Sequence, residues 1–122
     1  MAAVSIAFEA PDNSGGAAPA CARPIDFVHL SRQTMGDKAL EIEILQLFAR
    51  HARTLLHELS DANDIQMKAI AHRLKGSADA VGAFSVSAAA EAVENGSRDS
   101  AALAKVAASV IETQNFILKL CR

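Results

Sequence analysis

The most informative part of this chain is the run Ala71-His72-Arg73-Leu74-Lys75-Gly76-Ser77-Ala78. It lies in a segment whose composition favours a helix, yet it places a glycine one turn after a histidine. A glycine inside a helix costs about 1 kcal/mol relative to alanine. Helical side chains lean toward the N-terminus, so the residue four positions later partly covers a given side chain. Gly76 therefore predicts an imidazole at His72 that is left uncovered.

Helical geometry places His72 opposite the apolar side of its own helix. At about 100° per residue, one line of apolar residues faces away from the histidine: Met67, Ile70, Leu74, Ala78 and Val81. Within about 60° of the histidine lie two lysines, a glycine and three other residues: Lys68, Lys75, Gly76, Ile65, Ala69 and Asp79. A merely solvated face would gain stability from alanine or glutamate in place of Gly76, and uncompensated local penalties tend to mark functional sites.

Size and composition favour a single all-helical domain. The chain has 122 residues, of which 51% are hydrophobic and 4% aromatic, with no Trp or Tyr. That length suits one core, and the abundant alanine and leucine favour helices. The net charge of −2 gives no general argument for binding nucleic acid or a membrane. Cys21 and Cys121 are too isolated for a disulfide framework or a zinc site, so free thiols are expected.

The N-terminal part of the chain differs in composition from the rest. Residues 1–24 are rich in Ala, Gly, Ser and Pro, and we expect a flexible, disordered leader there. The folded domain is expected over residues 25–122. The first ten residues lack the basic start of a signal peptide, and no stretch reaches the roughly 18 apolar residues of a membrane helix. These features predict a cytoplasmic protein.

Two helices are predicted in the first half of the domain. Asp26 is expected to cap a short helix that runs to Gln33 and ends at Gly36. Asp37 is expected to cap a long helix to about Leu59. Its inward apolar residues recur at three and four positions: Leu40, Ile44, Leu47, Phe48, Ala52, Leu55 and Leu59.

Three further helices follow a turn at residues 60–63. Asp64 is expected to cap the helix that carries His72, which stops at Gly82, and Ser85 or Ser87 to open the next, closed by Asn95-Gly96. Asp99 or Ser100 is expected to open the last. The inward residues of these last two helices are predicted to be Val86, Ala89, Ala90, Val93, Leu103, Val106, Val110, Ile117 and Leu120. Short connections imply antiparallel neighbours, and hence an up-and-down antiparallel four-helix bundle with a short additional N-terminal helix.

An exposed imidazole flanked by lysines suits phosphoryl chemistry. A neutral imidazole nitrogen is a good nucleophile toward phosphorus. The phosphoryl group of the product carries negative charge that Lys68 and Lys75 can offset. An exposed pair of this kind contributes at most about 1 kcal/mol, so the lysines would aid positioning and would not be the source of catalysis.

The run from His72 to Ala78, followed by Val81-Gly82-Ala83, resembles the histidine-containing phosphotransfer (HPt) domain of bacterial phosphorelays. The family pattern is His, any residue, an aliphatic residue, Lys, Gly and a small residue, with a later glycine that closes the helix. Residues 25–48, with Leu40, Glu41 and Leu47-Phe48, also resemble the family's opening segment. The resemblance covers about residues 25–122.

This resemblance implies a carrier and not an enzyme with its own ATP site. His72 would receive a phosphoryl group on Nε2 from an aspartyl-phosphate and pass it to another aspartate. Both aspartates would belong to receiver domains of response regulators or hybrid histidine kinases. Lys75 would lie near the phosphoryl group and Gly76 would admit the receiver, with Lys68, Arg73 and Ser77 as further contacts. The protein would need no cofactor, because Mg²⁺ belongs to the receiver, and it is expected to act as a monomer.

Other functions remain open at this point. The phosphoacceptor region of a sensor kinase would have an acid directly after the histidine and a proline shortly beyond. Here position 73 is Arg and no proline follows Pro24. The phosphoacceptor domain of a chemotaxis-type kinase is a closer alternative, although we expect a free-standing module. A non-phosphorylated helical adaptor and a metal-binding bundle are also possible in principle, but His51 and His57 are six residues apart and do not share a helix face well.

Overall fold

The computed structural model describes residues 24–121. In that range the chain forms five helices and no strand: α1 (Phe27–Thr34), α2 (Lys38–Ser60), α3 (Asp64–Val81), α4 (Phe84–Glu94) and α5 (Ser100–Leu120). The all-helical fold predicted from the sequence is confirmed. The predicted leader over residues 1–24 lies outside the described residues, apart from Pro24.

The four longer helices pack in a closed ring. Each contacts two others, so that α3 lies between α2 and α4, and α5 closes the ring against α4 and α2. The short helix α1 packs against α2 and α3. The interior is filled mainly by leucine, valine and alanine, and several of its leucines and valines are fully buried.

Two predicted helix starts are wrong by a small amount. Asn63, and not Asp64, is the N-cap of α3: its side chain accepts from the Gln66 amide at 2.9 Å, while the Gln66 side chain accepts from the Asn63 amide. This reciprocal pair is a capping box. Helix α4 begins at Phe84 without any side-chain cap, so neither Ser85 nor Ser87 opens it. Asp26, Asp37 and Asp99 cap α1, α2 and α5 as predicted.

The buried side of α2 is turned slightly from the predicted one. Leu40 and Leu47 are exposed, and the buried residues follow an alternating spacing of four and three: Glu41, Leu45, Phe48, Ala52, Leu55 and Leu59. The apolar pattern in the sequence did not separate these buried positions from the adjacent exposed ones, because leucines occur at both. Glu41 is accommodated in the buried line because its carboxylate accepts from Thr34 Oγ1 at 3.1 Å and lies 3.5 Å from Lys38 Nζ.

Helix α5 is buried along most of its predicted face, but not at its end. Val106, Val110 and Ile117 are buried, whereas Leu120 is exposed. Ser109 and Thr113 take core positions that the apolar pattern did not identify. Their hydroxyls donate to the carbonyls of Val106 and Ser109 within the helix, so they satisfy themselves locally.

Gly82, at the end of the histidine helix α3, is hydrogen-bonded through its backbone to the residue that caps the start of α1. Its φ of 80° is left-handed, and its carbonyl accepts from the Asp26 amide at 2.9 Å. A Cβ at position 82 would lie 2.8 Å from the Asp26 carbonyl oxygen. Asp26 is in turn the cap of α1. One glycine therefore ends α3 and allows the N-terminal helix to pack against it.

We predict that Gly82→Ala lowers the free energy of unfolding more than Gly36→Ala does. Both glycines have a φ near 80°, and alanine in that conformation costs about 1–2 kcal/mol at either site. A Cβ at Gly36 meets nothing within 4 Å, so the difference between the two variants measures the contact with Asp26. Chemical denaturation is the measurement, and equal losses would contradict the proposed role of Gly82.

Candidate functional site

His72 lies on the outer side of α3, with its side chain 73% exposed. The opposite side of the helix is buried in the core through Ile70, Leu74, Ala78 and Val81. The apolar line predicted from the sequence is therefore the line that packs, and the histidine is outward as a consequence. Ala71, beside the histidine, is buried as well.

A carboxylate from the neighbouring helix orients the imidazole. Nδ1 of His72 lies 2.8 Å from Oε2 of Glu94, the last residue of α4. An ionised carboxylate can only accept a hydrogen bond, so Nδ1 carries the proton. In a neutral ring the lone pair is then on Nε2, which has no hydrogen-bond partner among residues 24–121. The site thus presents one nucleophilic nitrogen in a defined tautomer.

Lys75 is held beside the histidine by a second acid of α4. Its ammonium lies 3.4 Å from Oε2 of Glu91, and the lysine side chain is 31% exposed. Both contacts follow one antiparallel register between α3 and α4, since His72 and Lys75 are three residues apart, as are Glu94 and Glu91. The Ser87 hydroxyl continues this register by donating to Asp79.

Gly76 has open space in front of it. A Cβ at this position would meet nothing within 4 Å beyond its own helix turn. The glycine therefore relieves no clash inside the domain, and a side chain there would extend outward next to His72. A methyl group at position 76 would therefore fit, whereas a long side chain would cover the ring.

The remaining predicted contact residues lie in different directions. Lys68 is exposed and forms no ion pair within the described residues. Arg73 is directed toward α2, where its guanidinium lies 3.3 Å from Glu58. Ser77 lines a small apolar pocket between α2 and α3, together with Leu47. Lys75 and Gly76 thus lie next to His72 on the outer face of α3. Arg73 and Ser77 lie on the side of α3 that faces α2.

Glu91 and Glu94 were not identified from the sequence. The sequence did contain the pattern. The two acids are three residues apart on α4, as the histidine and lysine are on α3, and an antiparallel arrangement of the two helices pairs them. Recognising it required the register of α3 against α4, which the connection at Gly82-Ala83 determines.

Comparison with known proteins gives a family for this arrangement. A family model described as the Hpt domain matches residues 43–116, which is more than half of the chain. The chain therefore belongs to the Hpt domain family. Membership implies a phosphotransfer role in two-component signalling, as a carrier and not a catalytic enzyme, in a family whose members interact with receiver domains. No curated protein and no solved structure gave a significant match.

Two further properties concern membranes and metals. None of the helices formed by residues 24–121 has the length and apolar content needed to cross a bilayer. Over the same residues, no three His, Cys, Asp or Glu side chains are grouped so that they could hold a metal ion. The metal-binding alternative thus has no ligand cluster in the described part of the chain.

We predict that Glu94→Ala changes the tautomer of His72. Without the carboxylate, the ring loses about 1 kcal/mol of preference for the Nδ1–H form, which corresponds to a several-fold shift in the tautomer ratio. Ring nitrogen chemical shifts in NMR report this ratio directly. Glu91→Ala is the matched control, because it removes a neighbouring carboxylate that contacts Lys75 and not the ring. A ring that keeps its tautomer in Glu94→Ala would show that the 2.8 Å contact does not set it.

Proposed function

We propose that this protein carries a phosphoryl group on His72 between aspartates of receiver domains in a phosphorelay. The observation that carries the proposal is the exposed imidazole, whose Nδ1–H is bonded to Glu94 and whose Nε2 is left with its lone pair. Membership of the Hpt domain family supports the same chemistry. A neutral, oriented nitrogen on a convex helix face suits attack on a phosphoryl group that a second protein delivers.

The phosphoryl transfer needs no reactant other than His72 and the aspartyl-phosphate. The Nε2 lone pair attacks the phosphorus of an aspartyl-phosphate, the N–P bond forms, and the P–O bond to the aspartate breaks to release its carboxylate. The ring becomes positively charged because Nδ1 keeps its proton. Glu94 lies where it stabilises that charge through the existing hydrogen bond. In the reverse sense, the carboxylate of a second receiver attacks the phosphorus and the neutral ring is restored.

The residues around the histidine have supporting roles in this proposal. Lys75, three residues after His72 on the same helix and paired with Glu91 at 3.4 Å, would exchange that carboxylate for the arriving phosphoryl group. Lys68 adds positive charge on the same side of α3. Arg73 and Ser77 extend the receiver contact toward α2, and Gly76 keeps the approach clear. The divalent cation that neutralises the transferring group would belong to the receiver, so this chain would need no cofactor of its own.

The finer features expected from the sequence are part of the same proposal. The closed ring of helix contacts and the antiparallel register of α3 and α4 support an up-and-down four-helix bundle with an additional N-terminal helix. We assign the domain to residues 25–122, after a leader over residues 1–24. The cytoplasm is the compartment in which such a carrier would meet its receivers. No part of the proposal involves nucleic acid.

We predict that the purified protein is labelled by a phosphorylated receiver and not by ATP alone. The label should be labile in acid and stable in alkali, as expected for a phosphorus–nitrogen bond. His72→Gln should abolish labelling while keeping the helical content and thermal stability, because the side chain is outside the core. Labelling by ATP alone, or a label that survives in His72→Gln, would contradict the proposal.

We predict that two substitutions at Gly76 separate stability from access. Gly76→Ala and Gly76→Gln should both raise the free energy of unfolding, by up to about 1 kcal/mol, because glycine is a poor helix former. Only the glutamine should slow phosphoryl transfer from a receiver, because its side chain is long enough to lie over the imidazole. Rapid-quench transfer rates test this, with alanine as the control that replaces the glycine without adding a long side chain. Equal rates for the two variants would contradict the role given to Gly76.

A further inference from the structure

The outer side of α2 and α5 forms a second surface, distant in the fold from the exposed side of α3. A groove of about 1080 Å³ lies between the two helices there. Its floor carries no acid, and its α5 edge carries two large exposed apolar side chains, Ile111 (49% exposed) and Leu118 (64% exposed). We call this surface the α2/α5 face. It comprises the exposed residues that line the groove, Gln46, Arg50, Arg53, Ile111, Asn115 and Leu118, and the exposed residues that flank them on the same helices, Glu43, Glu112 and Lys119.

The two helices of the α2/α5 face are antiparallel, and two side-chain hydrogen bonds show which of their residues lie at the same height. The Gln114 side chain donates to the Ala49 carbonyl at 3.0 Å and accepts from Arg53 at 3.3 Å. Residue 49 of α2 is therefore level with residue 114 of α5. Toward the other end of the groove, Leu56 and His57 lie near Leu103, so rising numbers on α2 correspond to falling numbers on α5.

The outward line of α5 has the spacing of a helix-pairing seam. Its residues alternate by four and three positions: Ala104, Ala108, Ile111, Asn115 and Leu118. Such a line packs against another helix, and a single asparagine within it typically fixes the register. If α5 met its own copy antiparallel, Ile111 would oppose Leu118 of the second copy about a two-fold axis between residues 114 and 115. Glu112 would then lie beside Lys119 of the second copy.

The exposed residues of α2 also complement those of α2 in a second copy, about an axis at the same height along the helices. In an antiparallel pair with its own copy, Glu43 would oppose Arg53 of the second copy, and Gln46 would oppose Arg50, about an axis at residue 48. That residue is next to Ala49, which is level with Gln114 on α5. The apolar match on α5 and the charge match on α2 thus place the axis at one level.

We propose that the protein forms a symmetric dimer in which the α2/α5 face packs against the same face of a second copy, with the helices antiparallel. A face-to-face dimer has its two-fold axis in the interface plane, so the axis must cross both helices at the same level. This face meets that requirement. In residues 24–121, Glu43, Glu112 and Lys119 form no ion pair within the chain, which leaves them available to a partner.

In this dimer two folded domains associate, and neither needs the other to complete its hydrophobic core. It would replace the monomer expected from the sequence. It does not rest on phosphotransfer, because His72 is on the outer side of α3 and stays exposed in both copies. Both phosphoacceptors would remain accessible to receivers.

Sedimentation of the full chain over a wide range of concentration tests the proposal, and a reversible dimer is expected. Glu112→Lys alone and Lys119→Glu alone should each raise the dimer dissociation constant several-fold, because each places like charges together twice. An equimolar mixture of the two variants should regain the wild-type constant, because both pairs become opposite in the heterodimer. Wild-type protein that stays monomeric throughout, or variants whose mixture does not recover, would overturn the proposal.

A pair of leucine variants provides the matched control. Leu118→Ser should weaken the dimer several-fold, whereas Leu47→Ser should leave it unchanged. Leu47 is 60% exposed, close to Leu118 in exposure, but it faces the α3 side of α2. Circular dichroism melts establish that both variants are folded. An equal effect of the two substitutions would show general apolar association and would also overturn the assigned face.

Discussion

The rotational setting of α3 is the constraint on which the rest of the site depends. Ile70, Leu74 and Ala78 are buried against the neighbouring helices, and removing apolar side chains of this size from a core costs several kcal/mol. Because these residues face inward, the face that carries His72 must face out. No interaction of the histidine itself is needed to expose it. The core thus determines the direction of the reactive group, and the neighbouring helix determines which ring nitrogen is left free.

That second step comes from the register between α3 and α4. The same antiparallel alignment pairs His72 with Glu94 and Lys75 with Glu91, so two positive or ionisable groups each have a carboxylate beside them. These pairs are exposed and contribute little to stability. Their value lies in geometry: each acid holds a long or rotatable side chain in one position before a partner arrives.

The sequence predicted the helices and the outward histidine because both follow from periodicity and local chemistry. It failed where a position depends on neighbouring helices. Leu47 looks like a core residue by spacing but lies on an adjacent line of α2, and Glu41 enters the core because Thr34 and Lys38 are there to meet it. Ser109 and Thr113 were missed for a different reason: their hydroxyls donate to carbonyls of their own helix, so these polar residues fit in the core without a partner from another helix. Glu94 could not be assigned to the site without the register of α3 against α4.

The position of Glu94 at the end of α4 has a consequence for dynamics. The last turn of a helix opens more readily than its middle. Here that turn is closed by the Arg98 side chain, which donates to the Val93 carbonyl at 3.2 Å, and by the Ser97 amide, which donates to the Ala92 carbonyl at 2.9 Å. When these bonds open, the carboxylate can move away from the ring, and the imidazole can then exchange its proton between nitrogens. The preparation of the nucleophile therefore depends in part on how firmly a single helical turn is closed.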